Sequence, residues 1–376
     1  MIYLDHAATS PPDPAVVTKM LPFLTGRFGN PSEPHALGRQ ARADLDAARA
    51  GIAAALGAQP ADVILTGGGT EADNIAVLGR CQGEPGRIVV SALEHPAVMR
   101  AADNLAERGW KVAIAPVLAD GQLDVMAFGE LVRPGDAVAC VMAASNVTGV
   151  IQPLAEAAAI CAHNDVPLHI DAVQAAAGMD LDVGHLPGDV TLAVAAHKLG
   201  GPRGVGAVVG PGVQTLEPIN HGGGQERGLR SGTENLAGAV ALAEALRIRQ
   251  GDDAPAERER RAALRDDLEQ RLALPVAGGA AQRLPGHALL LTAYRGDTVV
   301  RLLDERDIAV SAGSACASGD PQPDPVLAAM GIDQTFARGA VRVTLGPTTT
   351  AEEIDALVVA WAEIEQGLDA AREASA

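Results

Sequence analysis

An α/β fold, with a mostly parallel sheet and a smaller α+β domain, is what this sequence predicts. Three observations carry the prediction. Over roughly residues 60–240, short β-branched runs alternate with Ala-rich amphipathic stretches, the pattern of a parallel sheet with helices on both faces. A polar, charge-rich helical stretch, Gly238–Leu272, then leaves that pattern. The 376 residues also leave room for two domains at roughly 150 residues each.

The elements follow in order. Seven runs have strand length and composition: Val63–Thr66, Arg87–Ser91, Lys111–Ala115, Ala137–Ala143, Pro167–Asp171, Thr191–Ala196 and Gly206–Val209. Helices are expected at Glu71–Arg80, Ala97–Glu107 and Leu154–Asn164. Gly251-Asp-Asp-Ala-Pro255 interrupts the helical stretch after the sheet, because Gly and Pro punctuate helices. Beyond it, Ala288–Thr292 and Val341–Leu345 read as strands and Ala351–Leu368 as a closing helix.

Composition excludes several functions. The chain carries 47 acids against 29 bases, a formal charge of −18, and so lacks the basic footprint of a nucleic-acid binder. Aromatic residues are 2%, too few for a base-stacking platform. There is no basic, apolar leader at Met1 and no stretch long enough to span a membrane, so a cytoplasmic protein is expected. Cys81, Cys140, Cys161 and Cys316 lie far apart, with neither metal-binding nor redox spacing. No metal site is therefore expected.

Three motifs carry chemistry. In Val63-Ile-Leu-Thr-Gly67-Gly68-Gly69-Thr70-Glu71, a strand runs through glycines into a helix. Glycines admit a close anion, and the helix N-terminus offers free N–H groups, so this is a phosphate cradle. Taken alone, a plain Gly-rich turn with Thr70 as helix cap is an equal reading. Asp171 ends the apolar run Leu168-His-Ile-Asp171, at the sheet edge where α/β proteins bind ligands. Alone, it reads more readily as a helix cap. Lys198 ends another apolar strand and precedes a Gly-rich loop. Apolar walls would make it a nucleophilic amine, although a solvent-facing lysine is the commoner case. The three together meet the needs of pyridoxal phosphate: an anchor for the phosphate, an acid for the pyridine nitrogen and a lysine for covalent attachment.

The ordered motifs resemble those of the cysteine desulfurases, in the class V aminotransferase group of fold-type I pyridoxal phosphate enzymes. They run nearly end to end: Ile2-Tyr-Leu-Asp-His-Ala-Ala-Thr9, Gly29-Asn-Pro-Ser32 with His35 and Gly38, Thr70-Glu-Ala-Asp-Asn74, and Leu93-Glu-His95-Pro-Ala-Val98. His221-Gly-Gly-Gly-Gln-Glu-Arg-Gly-Leu-Arg-Ser-Gly-Thr233 and Gly313-Ser-Ala-Cys316-Ala-Ser318 complete the set.

The resemblance implies the roles. Lys198 holds the coenzyme covalently, and Asp171 pairs with its pyridinium nitrogen. Gln174 bonds the phenolic oxygen, helped by Asn146, which also touches the substrate carboxylate. His95 stacks on the ring and moves protons. Thr70, with Gly69, and His197 hold the phosphate, joined by Thr233 from a two-fold-related subunit. Arg342 binds the substrate carboxylate through its planar fork. Cys316, among small residues on what reads as a mobile, exposed loop, takes the sulfur of L-cysteine as a persulfide and releases alanine.

Each role has a plainer competitor: His95 as a helix cap, Asn146 as a turn residue, Arg342 as an ion-pair partner and Thr233 as a local cap. The implied architecture is a seven-stranded sheet domain, residues 15–245, and a small domain of residues 1–14 and 246–376. A homodimer is implied too, with a sulfur-acceptor protein such as an iron–sulfur scaffold or a thiolation protein. The 26-residue spacing from Cys316 to Arg342 suits the longer-loop subgroup.

The chain departs from the family pattern at Ser145 and Val147, where the family often has Asn and Glu, and at Ala195, where it often has a phosphate-binding Ser. The competing functions are another class V activity, such as an aminotransferase or a cysteine or selenocysteine lyase, and a non-catalytic scaffold in a sulfur-transfer complex.

Overall fold

A computed structural model describes residues 1–313 and 324–374 of the chain. Cys316 lies outside the described residues.

The sheet has seven strands in the spatial order Val63–Thr66, Gly206–Val209, Val190–Ala195, Leu168–Asp171, Val138–Cys140, Arg87–Ser91 and Lys111–Ala115. Gly206–Val209 runs antiparallel to both neighbours, and the other pairings are parallel. Period-two alternation splits the strand side chains between two faces. On one face Leu65, Val89, Ala139, Ile170, Leu192 and Val209 join the largest core. That core is covered by the helices Pro14–Thr25, Ala36–Ala55 and Leu236–Arg249. On the other face Ile64, Ala193 and Val208 meet the helix Gly69–Arg80, while Ile88, Val90 and Cys140 meet Pro96–Glu107.

A separate core gathers Leu4, Leu268, Leu290, Val343 and Trp361. It lies on a two-stranded antiparallel sheet, His287–Leu291 with Ala340–Thr344. The helices Ala254–Leu272 and Ala351–Glu373 cover it. Ile2–Tyr3 pairs in parallel with Ile308–Ala309, which brings the N-terminus into this second core. No helix among the described residues is long and apolar enough to cross a membrane.

Two expected elements change in a way that matters for the site. The run expected as Ala137–Ala143 keeps only Val138–Cys140 as strand. Beyond Cys140 the Met142 N–H turns to the Glu94 carboxyl, 2.6 Å away, instead of a neighbouring strand. The run Thr191–Ala196 becomes Val190–Ala195, followed by a single 3₁₀ turn, Ala196–Lys198. Lys198 therefore stands one turn past the strand rather than at its end. The N–H groups of Leu199 and Gly201 both close on the Ala196 carbonyl, at 2.8 and 2.9 Å, and lift the lysine off the ladder.

Candidate active site

The ends of the central strands build one cleft of about 310 Å³. Its lining includes Gly69, Thr70, His95, Asn146, Asp171, Gln174, His197 and Lys198, all of them expected from the sequence.

The cradle forms where Val63–Thr66 turns into Gly69–Arg80. Gly68 stands at φ 149°, and a Cβ on Gly69 would lie 2.6 Å from a Val173 methyl carbon, so only glycine brings this backbone so close. No side chain caps the helix. Thr70 is the second residue of that helix and not its cap, and the first N–H groups stay available for an anion. Ala195 sits 3.6 Å from the same built Cβ, so the missing family serine would have faced this cradle.

Asp171 ends its strand, is buried, and accepts a hydrogen bond from the Val173 N–H at 2.9 Å. The capping bond and the functional position coincide in one carboxylate. Burial raises its pKa, while the Val173 N–H, His95 and Lys198 act in the opposite direction.

His95 shows the same double use. It caps the helix Pro96–Glu107, its Nδ1 accepting from the Ala97 N–H at 3.1 Å. That bond reserves Nδ1 as acceptor and leaves Nε2 to carry the ring's proton. Burial lowers its pKa against the pull of Asp171.

Lys198 Nζ donates to the carbonyls of Ala7 and Ala8, so the N-terminal segment holds the amine. Burial, with Arg342 acting in the same direction, brings its pKa down to about 8. His197 Nδ1 lies 3.2 Å from the Thr9 hydroxyl, and burial lowers its pKa to about 4.

The turn at Asn146 explains two departures from the family pattern. The Ser145 hydroxyl accepts from the N–H groups of Val147 and Thr148, both at 3.2 Å, and so builds the turn itself. Val147 is fully buried in an apolar cluster with Leu93, Met142 and Leu289, where a charged side chain would have no partner.

Sequence reasoning missed Asp73 and Glu94. Asp73 lines the cleft, and its donor atoms lie within 4.8 Å of those of His95 and Asp171. It stands one helical turn after Thr70, a spacing that could have revealed it. His169 Nε2 holds Asp73 Oδ1 at 3.1 Å, and Thr191 Oγ1 holds the other ring nitrogen at 3.0 Å. Burial, Asp171 and Glu94 push the Asp73 carboxyl well up. Burial, aided by Asp171, takes Glu94 up to about 8.

Three expected site residues are not in this lining. Arg342 is buried one layer back, its fork donating to the Asn146 carbonyl and to Asp5 Oδ1, each at 2.9 Å. Its ion-pair reading therefore holds, and Asp5 is a partner the sequence did not single out. Thr233 is exposed and does not line this chain's cleft. Cys316 is outside the described residues. The other three cysteines are buried, and burial raises the pKa of each thiol.

Comparison with known proteins narrows the chemistry. The family described as aminotransferase class V matches residues 2–357. An IscS-like cysteine desulfurase of Mycobacterium tuberculosis is 41% identical over 95% of this chain and 94% of its own. The cysteine desulfurase IscS of Methylococcus capsulatus is 38% identical over 94% and 90%. Among solved structures, a NifS-like protein superposes with a TM-score of 0.91 at 30% identity, covering 97% of this chain and 99% of that one. The cysteine desulfurase CsdA of Escherichia coli, an S-sulfonic acid form, gives 0.82 at 28% identity, with coverage of 98% and 94%.

Proposed function

The chain belongs to the class V aminotransferase family, among the cysteine desulfurases, and we propose that it takes sulfur from L-cysteine onto Cys316 with pyridoxal phosphate as coenzyme. The observation that carries this reading is the meeting of Lys198, Asp171, His95 and the Gly69–Thr70 cradle on one cleft.

The residues present fit that coenzyme. The glycine cradle leaves room where a Cβ would intrude, and the uncapped helix end suits a phosphate. His197 and Thr70 stand on the same wall set, ready to donate to that group. Asp171 is the acid for a ring nitrogen, and Gln174 with Asn146 offers amides to a ring oxygen. The coenzyme, when bound, supplies an electron sink at the substrate's α-carbon.

The chain's own groups do the rest. Lys198 holds the coenzyme and then, once displaced by substrate, takes the α-proton on Nζ; a pKa near 8 suits a group that alternates as base and acid. His95 covers the ring and carries a proton on Nε2. Arg342, already steadied by Asp5, takes the substrate carboxylate beside Asn146. The Cys316 thiolate would attack the substrate sulfur, forming an S–S bond as the C–S bond breaks. The C–S electron pair stays with the β-carbon, which takes a proton to become the methyl group of alanine. Thiol plus cysteine thus become persulfide plus alanine with no outside oxidant. The persulfide then passes to an acceptor protein, an iron–sulfur scaffold or a thiolation protein.

Support for Cys316 comes from both sides. The other three cysteines are buried thiols. The described chain before it is tied at Ser311 to Arg342 by two backbone hydrogen bonds, of 2.7 and 3.1 Å. A homodimer belongs to the same proposal, with Thr233, exposed and outside this chain's own cleft lining, serving the cleft of another subunit. So does the division into residues 15–245 against 1–14 with 246–376, which the two separate cores support.

The test is to incubate the coenzyme-loaded chain with L-cysteine and measure alanine and protein-bound persulfide. Both should form, and Cys316→Ala should abolish the persulfide while the coenzyme still loads. Unchanged sulfur release from Cys316→Ala would overturn the reading.

A further inference from the structure

A second chamber, of about 30 Å³, shares two walls with the cleft: Gln174 and Lys198 line both. His6, Arg249, Arg261 and His287 also line it. Its volume suits about one or two water molecules.

Three buried polar atoms of its lining residues have no hydrogen-bond partner among the described residues: the acceptors Gln174 Oε1 and His287 Nε2, and Arg261 Nε, which is ion-paired with Glu257 at 2.6 Å. Gln174 and His287 are only 8% and 4% exposed. Burial, with Arg342 beside it, pushes the His287 imidazole toward its neutral form, while the Asn146 backbone pulls the other way. In the neutral tautomer with its proton on Nδ1, toward the Asn146 backbone, Nε2 is a bare acceptor. The orientation of the Gln174 amide is set by charge. Lys198, Arg249 and Arg261 line the chamber, and the amide oxygen is the end that faces cations.

Two acceptors need donors, and each neighbouring cation already donates to a backbone carbonyl. Lys198 Nζ donates to the Ala7 and Ala8 carbonyls. Arg249 Nε donates to the Leu199 carbonyl at 3.0 Å and Arg261 Nη2 to that of Ala177 at 2.8 Å. An anion would face two lone pairs, and a metal cation would face the arginines. A water has two O–H groups to give and fits both acceptors.

We propose that His287 is a positioning residue: one water in this chamber donates to His287 Nε2 and Gln174 Oε1 and fixes the Gln174 amide with its nitrogen toward the cleft. The backbone is built around this imidazole. Gly149 stands at φ +77°, and a Cβ there would lie 2.4 Å from the His287 Cβ. The turn that carries Asn146 and the ring that holds the water are thus one packed unit.

The consequence for the coenzyme rests on the role given to Gln174 above. A fixed N–H donor at the phenolic oxygen favours the deprotonated form of the coloured holoenzyme, so losing the donor raises its proton affinity. The test has two arms. The first is a high-resolution crystal structure of the full chain without coenzyme, which should show an ordered water within hydrogen-bond distance of both atoms. A dry chamber, or a reversed Gln174 amide, overturns the proposal. The second arm titrates the visible absorbance of the loaded protein with pH. His287→Leu should move the midpoint up by about one pH unit, a tenfold change in proton affinity. His287→Gln, whose amide oxygen reaches the place of Nε2, should stay near the parent. An unmoved midpoint in a folded His287→Leu overturns the proposal. If that variant melts, a displaced midpoint in His287→Gln does so. A chain that takes up no coenzyme refutes the function proposed above, and the crystal arm still decides the water.

Discussion

The cleft and the chamber that share Lys198 and Gln174 are lined by opposite chemistries, carboxyls on one side and arginines on the other. Asp171 and Asp73 line the cleft, with Glu94 buried behind them. Arg249, Arg261 and two histidines line the chamber. The lysine they share is held in a balance of its own: burial and Arg342 push its proton off, while Asp5 and Asp171 pull it back. A lysine among carboxylates alone would stay charged, and one among cations alone would be neutral and fixed. That balance makes an amine whose proton is exchangeable, and the two linings separate a wall that reacts from a wall that orients.

The sharpest way to break that division is Lys198→Ala. If chemistry belongs to the cleft, alanine production should fall by roughly 10³-fold or more, with the thermal midpoint little changed. Removing the orienting wall with His287→Leu should cost about tenfold or less. Equal losses would erase the distinction.

Arg342→Lys tests the layer behind the cleft. A lysine cannot hold Asp5, the Asn146 carbonyl and a carboxylate in one planar fork. The expected result is a KM for L-cysteine raised about tenfold with kcat changed less, read from steady-state kinetics. A fall in kcat alone would place Arg342 in the chemical step and not in binding.

The exchangeable proton itself gives a pH prediction. Neutral amine is the form that attacks an aldehyde, and it grows as pH rises through the folded pKa of about 8. Coenzyme uptake by the apoprotein should therefore speed up about fivefold between pH 7 and pH 8 and level off above 9. An ordinary lysine would still be gaining tenfold per unit there. A rate that keeps climbing beyond pH 9 would show that burial and Arg342 do not tune it.

Much of this contrast was legible in the sequence, and the reason is local. Strand runs, the glycines before Thr70 and the acid at Asp171 each announce themselves within about ten residues. Ser145 and Val147 looked like losses because sequence comparison records a missing Asn or Glu. Folding shows a hydroxyl that builds the turn and a methyl pair that fills a core. The chamber was not legible at all. His6, Gln174, Arg261 and His287 meet only through tertiary packing, and no spacing along the chain joins them. Arg342 and Asp5 are a further case, 337 residues apart and yet 2.9 Å from each other. Helix Pro14–Thr25 was missed because its outward residues Val17, Leu21 and Leu24 are apolar and blur its amphipathic period.

The smallest expected effect probes how much charge the cleft really holds. Asp73 is buried, bonded to His169, and crowded by Asp171 and Glu94, which together push its carboxyl well above the usual carboxylate range, toward the protonated form. A protonated acid and an amide both present one donor end and one acceptor end. Asp73→Asn should then leave turnover within about twofold at pH 7, less than about 0.5 kcal/mol. Asp73→Ala, which leaves His169 Nε2 without its partner, should cost about 1–3 kcal/mol of stability by denaturant melt. The pH dependence separates the alternatives. In the parent, alkaline titration would put a second carboxylate beside Asp171, and Asp73→Asn removes that possibility, so the two should diverge only as pH rises. A tenfold loss from Asp73→Asn at neutral pH would mean that Asp73 is ionised there. The cleft would then hold two negative charges rather than the one that a single pyridinium can answer.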